Sequence, residues 1–327
     1  MRMTAWLLCG TLLSVLSSGC QFETVSSSRS ETSSSNSAGK NNTVTGGAEV
    51  IPAPRMNYVI DRTPLSLKGS FRNFVSSVQS KQGLTELHCA AATEISGLFL
   101  CAGTNANAHH FPLMRAAIFA EGRPSIQVPF AGQIVSGAKA LEAWPKSSGH
   151  DLTDSHLMNF FMALKAACPD ASCVDQNEFV FADKVMPVFS RLAPQGYSVI
   201  SFEVSNESVD GVVVHEIAHG QFFQQPQYRN AVLTWFNTLP FDVQQKAAQV
   251  IGVNYDIRVP NLLVNEFHAY TLMGKFDYSP EKYTQIMQMN DPTSMAIASI
   301  MIQAPQLQQS LRFALATSGM PVWAGAF

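Results

Sequence analysis

Charge is scarce in this chain: only 14% of its 327 residues are Asp, Glu, Lys or Arg, and their formal sum is −3. No basic footprint is present for a phosphate backbone, so nucleic acid is not an expected partner. No CxxC pair occurs, which leaves a cysteine-based metal site without its usual spacing. No internal repeat is visible. The apolar run near the start, Ala5 to Leu16, is too short to span a bilayer as a mature helix. What the chain does have is a 46% hydrophobic content, concentrated after Ile51 and sufficient for a sizeable core.

The two ends of that short run give it a meaning. Arg2 and the free amine make a positive start, and Ser17-Ser18-Gly19 supplies small residues suited to cleavage. Cys20 follows at once, and the whole resembles a bacterial lipoprotein signal, although Ser17 stands where such signals usually carry leucine. The resemblance implies removal of residues 1–19 and a lipid anchor at Cys20; ordinary secretion with an incidental cysteine is the other reading. Gln21 after the cysteine implies the outer membrane of a cell envelope, on its periplasmic or surface side. Residues 20–50 are rich in Ser and Asn and have almost nothing to bury, so they are expected to be a flexible tether.

Residues 51–327 are read as a single domain of α+β class, with a mixed front part at 51–180 and a core at 181–327. Strands are predicted at Tyr58-Val59-Ile60, Leu98-Phe99-Leu100, Ile126-Gln127-Val128 and Tyr197 to Ser205. A helix is predicted over Thr153 to Ala167. The last third reads as helices beginning at or near Pro240, Pro260, Pro280, Pro292 and Pro305. Apart from Cys9 and Cys20, four cysteines remain, and an even number in an exported chain suggests two disulfides. Three pairings are possible, and proximity favours Cys89–Cys101 with Cys168–Cys173.

The chemistry is concentrated in His215-Glu216-Ile217-Ala218-His219. This is the HExxH pattern, and on a helix it sets two imidazoles on one face, one turn apart. Two neutral imidazoles can share one zinc ion, while the intervening glutamate serves as base to a water that the metal makes acidic. The predicted helix follows the Tyr197 strand, is capped by Asn206 or Ser208, and stops at Pro226.

A catalytic zinc needs a third protein ligand. Gly220 to Arg229 contains no histidine, which removes the metzincin arrangement. Downstream lies Asn265-Glu266-Phe267-His268-Ala269-Tyr270, with Glu266 forty-seven positions after His219. HExxH followed by an NExxA-like segment resembles the gluzincin clan of zinc metallopeptidases. That resemblance covers residues 197–274 and implies a zincin-like fold with a small mixed sheet, an active-site helix and a largely helical C-terminal part. It implies Zn2+ held by His215, His219 and Glu266, with Glu216 as general base and a peptide or protein as substrate. His268 is the rival ligand, but it lies about 200° around the helix from Glu266.

Tyr270 departs from the thermolysin-like pattern, which has an aspartate there to orient a zinc histidine. It is read either as a donor to the developing oxyanion or as an ordinary half-buried aromatic, with Tyr228 and Tyr255 weaker candidates. His109-His110, after Asn105-Ala106-Asn107, reads as an exposed loop, with an adventitious metal site as the alternative, and His150 and His156 show no metal-ligand spacing. The functional expectation is an exported zinc peptidase. A catalytically silent zinc-binding lipoprotein and an amidase acting on cell-wall peptides remain the alternatives.

Overall fold

The computed structural model describes residues 55–324 apart from 144–148, 171–172, 206–208 and 278. The expected signal and tether, and the capping residues Asn206 and Ser208, lie outside the described residues. One mixed sheet is built from β1 (Asn57–Leu65), β2 (Glu86–Ala92), β3 (Leu98–Gly103), β4 (Gly149–Thr153) and β5 (Ser198–Glu203), in the order β1-β2-β3-β5-β4. β1 runs parallel to β2 and β3 parallel to β5, while β2/β3 and β4/β5 are antiparallel. The strand entering the HExxH helix, β5, is therefore interior, and the edge beside it belongs to β4.

Helices of the front part are α1 (Phe71–Gln79), α2 (Ala106–His110), α3 (Met114–Glu121), α4 (Gly137–Leu141), α5 (Asp154–Ala167), α6 (Gln176–Val180) and α7 (Met186–Leu192). After β5 come α8 (Val209–Gln224), α9 (Pro226–Thr238), α10 (Phe241–Ile251), α11 (Leu262–Met273), α12 (Pro280–Met289) and α13 (Pro292–Thr317). The period of two along each strand sorts these helices into two layers. Leu98, Leu100, Ala102, Ile200 and Phe202 face one way and pack with α8 and the helices after it. Phe99, Cys101, Val199 and Leu152 face the other way, against α3, α5 and α7. Strands from both sides of residue 180 thus share one sheet between two helical layers.

Cys89 and Cys101 are direct cross-strand partners in β2 and β3 and form a disulfide; Cys168 and Cys173 form the second. The expected strand at Ile126-Gln127-Val128 is absent. Pro124–Ile126 is a short 3-10 turn, Gln127 is left-handed with φ 62°, and a lone bridge joins Arg123 to Val128. Proline fixes its own backbone for such a turn and lacks the N–H a strand would need. The break expected at Pro305 is also absent, for α13 runs through it to Thr317. Pro305 lies on the exposed side, and the buried stripe Ile297, Ile300, Met301, Ala304, Leu307, Leu311 and Leu315 continues across it at helical spacing.

Candidate metal centre

Helix α8 is apolar nearly all round because it lies between the sheet and α11. Val212, Val213, Ile217, Ala218 and Phe222 are buried along with the polar motif residues. Gly220 brings it down onto β3: a Cβ there would lie 2.6 Å from Leu98 Cδ1. A buried helix offers no water to its polar side chains, so they must find partners within the protein or a bound ion.

His215 and His219 point their Nε2 atoms at one spot, 2.9 Å apart, with the rings nearly perpendicular at 89°. Glu266 reaches the same spot from α11, with Oε2 3.6 Å from His215 Nε2 and Oε1 3.6 Å from His219 Nε2. Candidate ligand atoms of the three residues all lie within 4.8 Å of one another. Exposure is 8%, 1% and 1%. His268 does not join them. It stacks on Phe222 at 5.4 Å, and its Nδ1 faces the carbonyl of Val264.

These residues fit a metal ion by their chemistry. Two neutral nitrogens and one carboxylate form a common zinc donor set, and Glu266 Oε2 is buried without a hydrogen-bond partner. Burial pushes both imidazoles down to about 3, so they are neutral ligands rather than cations. Acidic groups outnumber the cations around this point, with Lys275 also close enough to act on His215. Glu121, Asp151, Glu216 and Glu266 are all buried here, and the cation set among them is Arg123, 3.4 Å from Glu121. Burial, and then the proximity of Glu266 and Glu121, raises the Glu216 carboxyl well above its ordinary range. Burial followed by Glu121 and Glu216 does the same to Asp151. These acids crowd together so closely that some must hold protons in the absence of an ion, and a divalent cation bound here would favour their ionised forms.

Sequence reasoning missed four residues at this centre: Glu121, Arg123, Gly149 and Asp151. Asp151 lies on edge strand β4 with Oδ2 3.7 Å from His219 Nδ1, on the far side of the ring from Nε2. It is the carboxylate nearest Nδ1, which is buried without a hydrogen-bond partner. Gly149, two residues earlier on the same face, abuts the Glu216 carboxylate so closely that a Cβ would collide with it. A run of Gly-His-Asp before Leu-Thr reads as turn composition, so β4 carried no strand signal. Glu121 and Arg123 flank Gly122, whose positive φ of 67° turns the chain after α3, and nothing in Glu121-Gly122-Arg123-Pro124 marks them as buried.

Tyr270 lies against the ligands, its ring centroid 4.4 Å from that of His215 and its hydroxyl 3.3 Å from the hydroxyl of Tyr255. Arg123 covers the Tyr255 ring at 4.7 Å. Tyr228 belongs instead to the packing around His268, at 5.9 Å between rings, and its hydroxyl is buried without a partner. A cavity of about 160 Å³ lined by Glu121, Asp151, Phe222, Phe223 and Asn265, among others, opens beside the centre.

His109, His110 and His150 correct the reading from sequence. The first two form the end of helix α2 rather than an exposed loop, and all three are buried together on the other face of the sheet. His156 caps α5 through a reciprocal pair of bonds with Thr153. Neither a protein-family model, nor a curated protein, nor a solved structure matches this chain.

Proposed function

We propose that this chain is a zinc-dependent hydrolase of peptide or related amide bonds, with a zincin-like arrangement of gluzincin type. The observation that carries the reading is the meeting of His215, His219 and Glu266 around one buried point, with Glu216 one residue along α8 from the first ligand. A zinc ion held there would act as a Lewis acid and make a water acidic at neutral pH.

The chain's own groups do the rest. Glu216, adjacent to the first histidine on α8 and ionised once a cation offsets the neighbouring acids, takes the proton from the attacking water and returns it to the leaving amine. Asp151 orients His219 from β4 and fixes which ring nitrogen faces the ion. Tyr270, its phenol held protonated by burial and by Glu266, is placed to donate to the oxyanion as the tetrahedral carbon forms. Tyr255 braces that hydroxyl through its own.

The N-terminal pattern supports export and lipid anchoring at Cys20, with the domain held off the envelope by residues 21–50. Two disulfides fit an oxidising compartment. Among the described residues no helix is long and apolar enough to cross a membrane.

Glu216→Gln tests the mechanism. It is expected to abolish hydrolysis of a mixed peptide library, or of purified cell wall, while leaving the zinc content unchanged. Activity persisting in that variant overturns the reading. Enclosure of the ligands, none more than 8% exposed, favours one other reading, a catalytically silent zinc-binding protein. That reading is the right one if the zinc-replete wild type hydrolyses neither substrate.

A further inference from the structure

Across the sheet from the HExxH centre lies a second convergence of ligand-type side chains. His109 and His110 end the short helix α2, and His150 comes from edge strand β4. Gly103 at the end of β3 lets the helix settle onto the sheet, since a Cβ there would lie 2.8 Å from the His109 backbone nitrogen. His150 pairs with Ser201 of β5, which sets its side chain on the face opposite Asp151.

The three rings form a tight group. His110 Nδ1 is 3.1 Å from His150 Nε2, and the His109 ring lies 4.3 Å from His110 and 4.6 Å from His150. One ring nitrogen from each falls within 4.8 Å of the others. Their exposure is 0%, 2% and 2%. Nδ1 of His150 is buried without a hydrogen-bond partner, and the ring nitrogens of His109 find none in good hydrogen-bond geometry, with the backbone of Ser201 lying beside them. Imidazoles packed for their apolar area alone would leave those nitrogens desolvated and unsatisfied, an arrangement folded proteins rarely keep without a reason. Burial also holds all three rings neutral, the form in which imidazole binds a metal.

From this geometry we propose that His109, His110 and His150 form a second site, which binds a first-row transition-metal ion through three imidazoles. Zinc, copper, nickel and iron all accept such a donor set, whereas calcium and magnesium, which prefer oxygen, do not. The ion ties α2 to β4. That strand carries Gly149 and Asp151 on its other face, so the second ion fixes the backbone from which those residues reach Glu216 and His219. The inference does not depend on the hydrolytic reading.

Zinc alone serves as the probe, with the untagged full chain stripped of metal, equilibrated with Zn2+ and passed through a desalting column. Elemental analysis should find two zinc ions per chain in the wild type. His219→Ala/Glu266→Ala should keep one, and X-ray absorption on that variant should show only nitrogen or oxygen scatterers at about 2.0 Å with the multiple-scattering signature of several imidazoles. His109→Gln/His150→Gln should also keep one, and the fourfold variant none.

The proposal falls if His219→Ala/Glu266→Ala binds no zinc while folded by circular dichroism, or if the absorption spectrum there shows no imidazole. Because that variant leaves the three histidines intact, the test survives if the His109 variant does not fold. A wild type holding one ion that His219→Ala/Glu266→Ala retains would support the three-histidine site and count against the HExxH site instead.

Discussion

The space where a side chain of residue 149 would sit is filled by the carboxylate of Glu216. This places a glycine of the edge strand directly beneath the proposed general base, and it makes the position of Glu216 depend on a strand far from it in sequence. Gly149→Ala should therefore displace the carboxylate rather than the metal. Zinc content is expected to stay at the wild-type value while kcat on a peptide substrate falls by at least about tenfold, and the overpacked contact should cost about 1–3 kcal/mol of stability. An alanine variant with wild-type kcat would show that Glu216 has room to move without consequence.

Asp151 and His219 offer a separate test from the same strand. A carboxylate facing Nδ1 of a metal-binding histidine fixes its tautomer and strengthens Nε2 as a ligand. Asp151→Asn keeps the shape and removes the charge, so zinc affinity at the HExxH centre should weaken by about 10–100-fold. Competition against a fluorescent chelator measures this, preferably in a His109→Gln/His150→Gln background so that one ion is followed. Unchanged affinity would mean that 3.7 Å is only proximity.

The HExxH helix was the most legible part of the molecule. Its spacing is local, its two histidines must share a face, and the proposed third ligand, Glu266, lies on another helix, α11, that is buried nearly all round. Choosing Glu266 over His268 needed only helix geometry, and His268 does point into the core against Phe222. Cys89–Cys101 and Cys168–Cys173 followed from proximity along the chain. Illegible from sequence was everything that reaches the centre from β4 and from the Gly122 turn. Gly149, His150 and Asp151 are poor strand formers one by one, and they form a strand because β5 offers a ladder of backbone partners. His109 and His110 looked like loop residues because Asn105-Ala106-Asn107 just before them has the composition of a turn. Tertiary context decided each of these.

Pro305 shows the same override acting on a helix. It interrupts the backbone bonding of α13 yet sits on the exposed side, while Met301, Ala304 and Leu307 keep the core stripe intact. Pro305→Ala restores the missing N–H and relieves the clash with the preceding turn, so it should stabilise the chain by about 1–3 kcal/mol. A rise in the denaturation midpoint at unchanged slope would confirm it. A drop would show that α13 is bent at Pro305 to fit its neighbours and that straightening it costs packing.

His268 connects the core to pH. Burial depresses its basicity to about 4, against an ordinary value of 6.5. Above pH 6.5 the residue is neutral in both the folded and the unfolded chain, and its full contribution to stability is present. As pH falls from 6.5 towards 4, the unfolded chain takes up a proton that the folded chain refuses, so that contribution is progressively lost. Between pH 7.5 and pH 5 the loss should be about 2 kcal/mol, at 1.36 kcal/mol per unit of displacement. His268→Gln cannot titrate, so the metal-free wild type should lose about 2 kcal/mol more than the variant over that interval in urea titrations. Because His268 lies outside the ligand set, the variant should also keep both its zinc content and its hydrolytic activity near the wild-type values. Equal acid sensitivity of the two chains would mean that His268 takes up its proton in the folded state, and loss of one zinc ion would return it to consideration as a ligand.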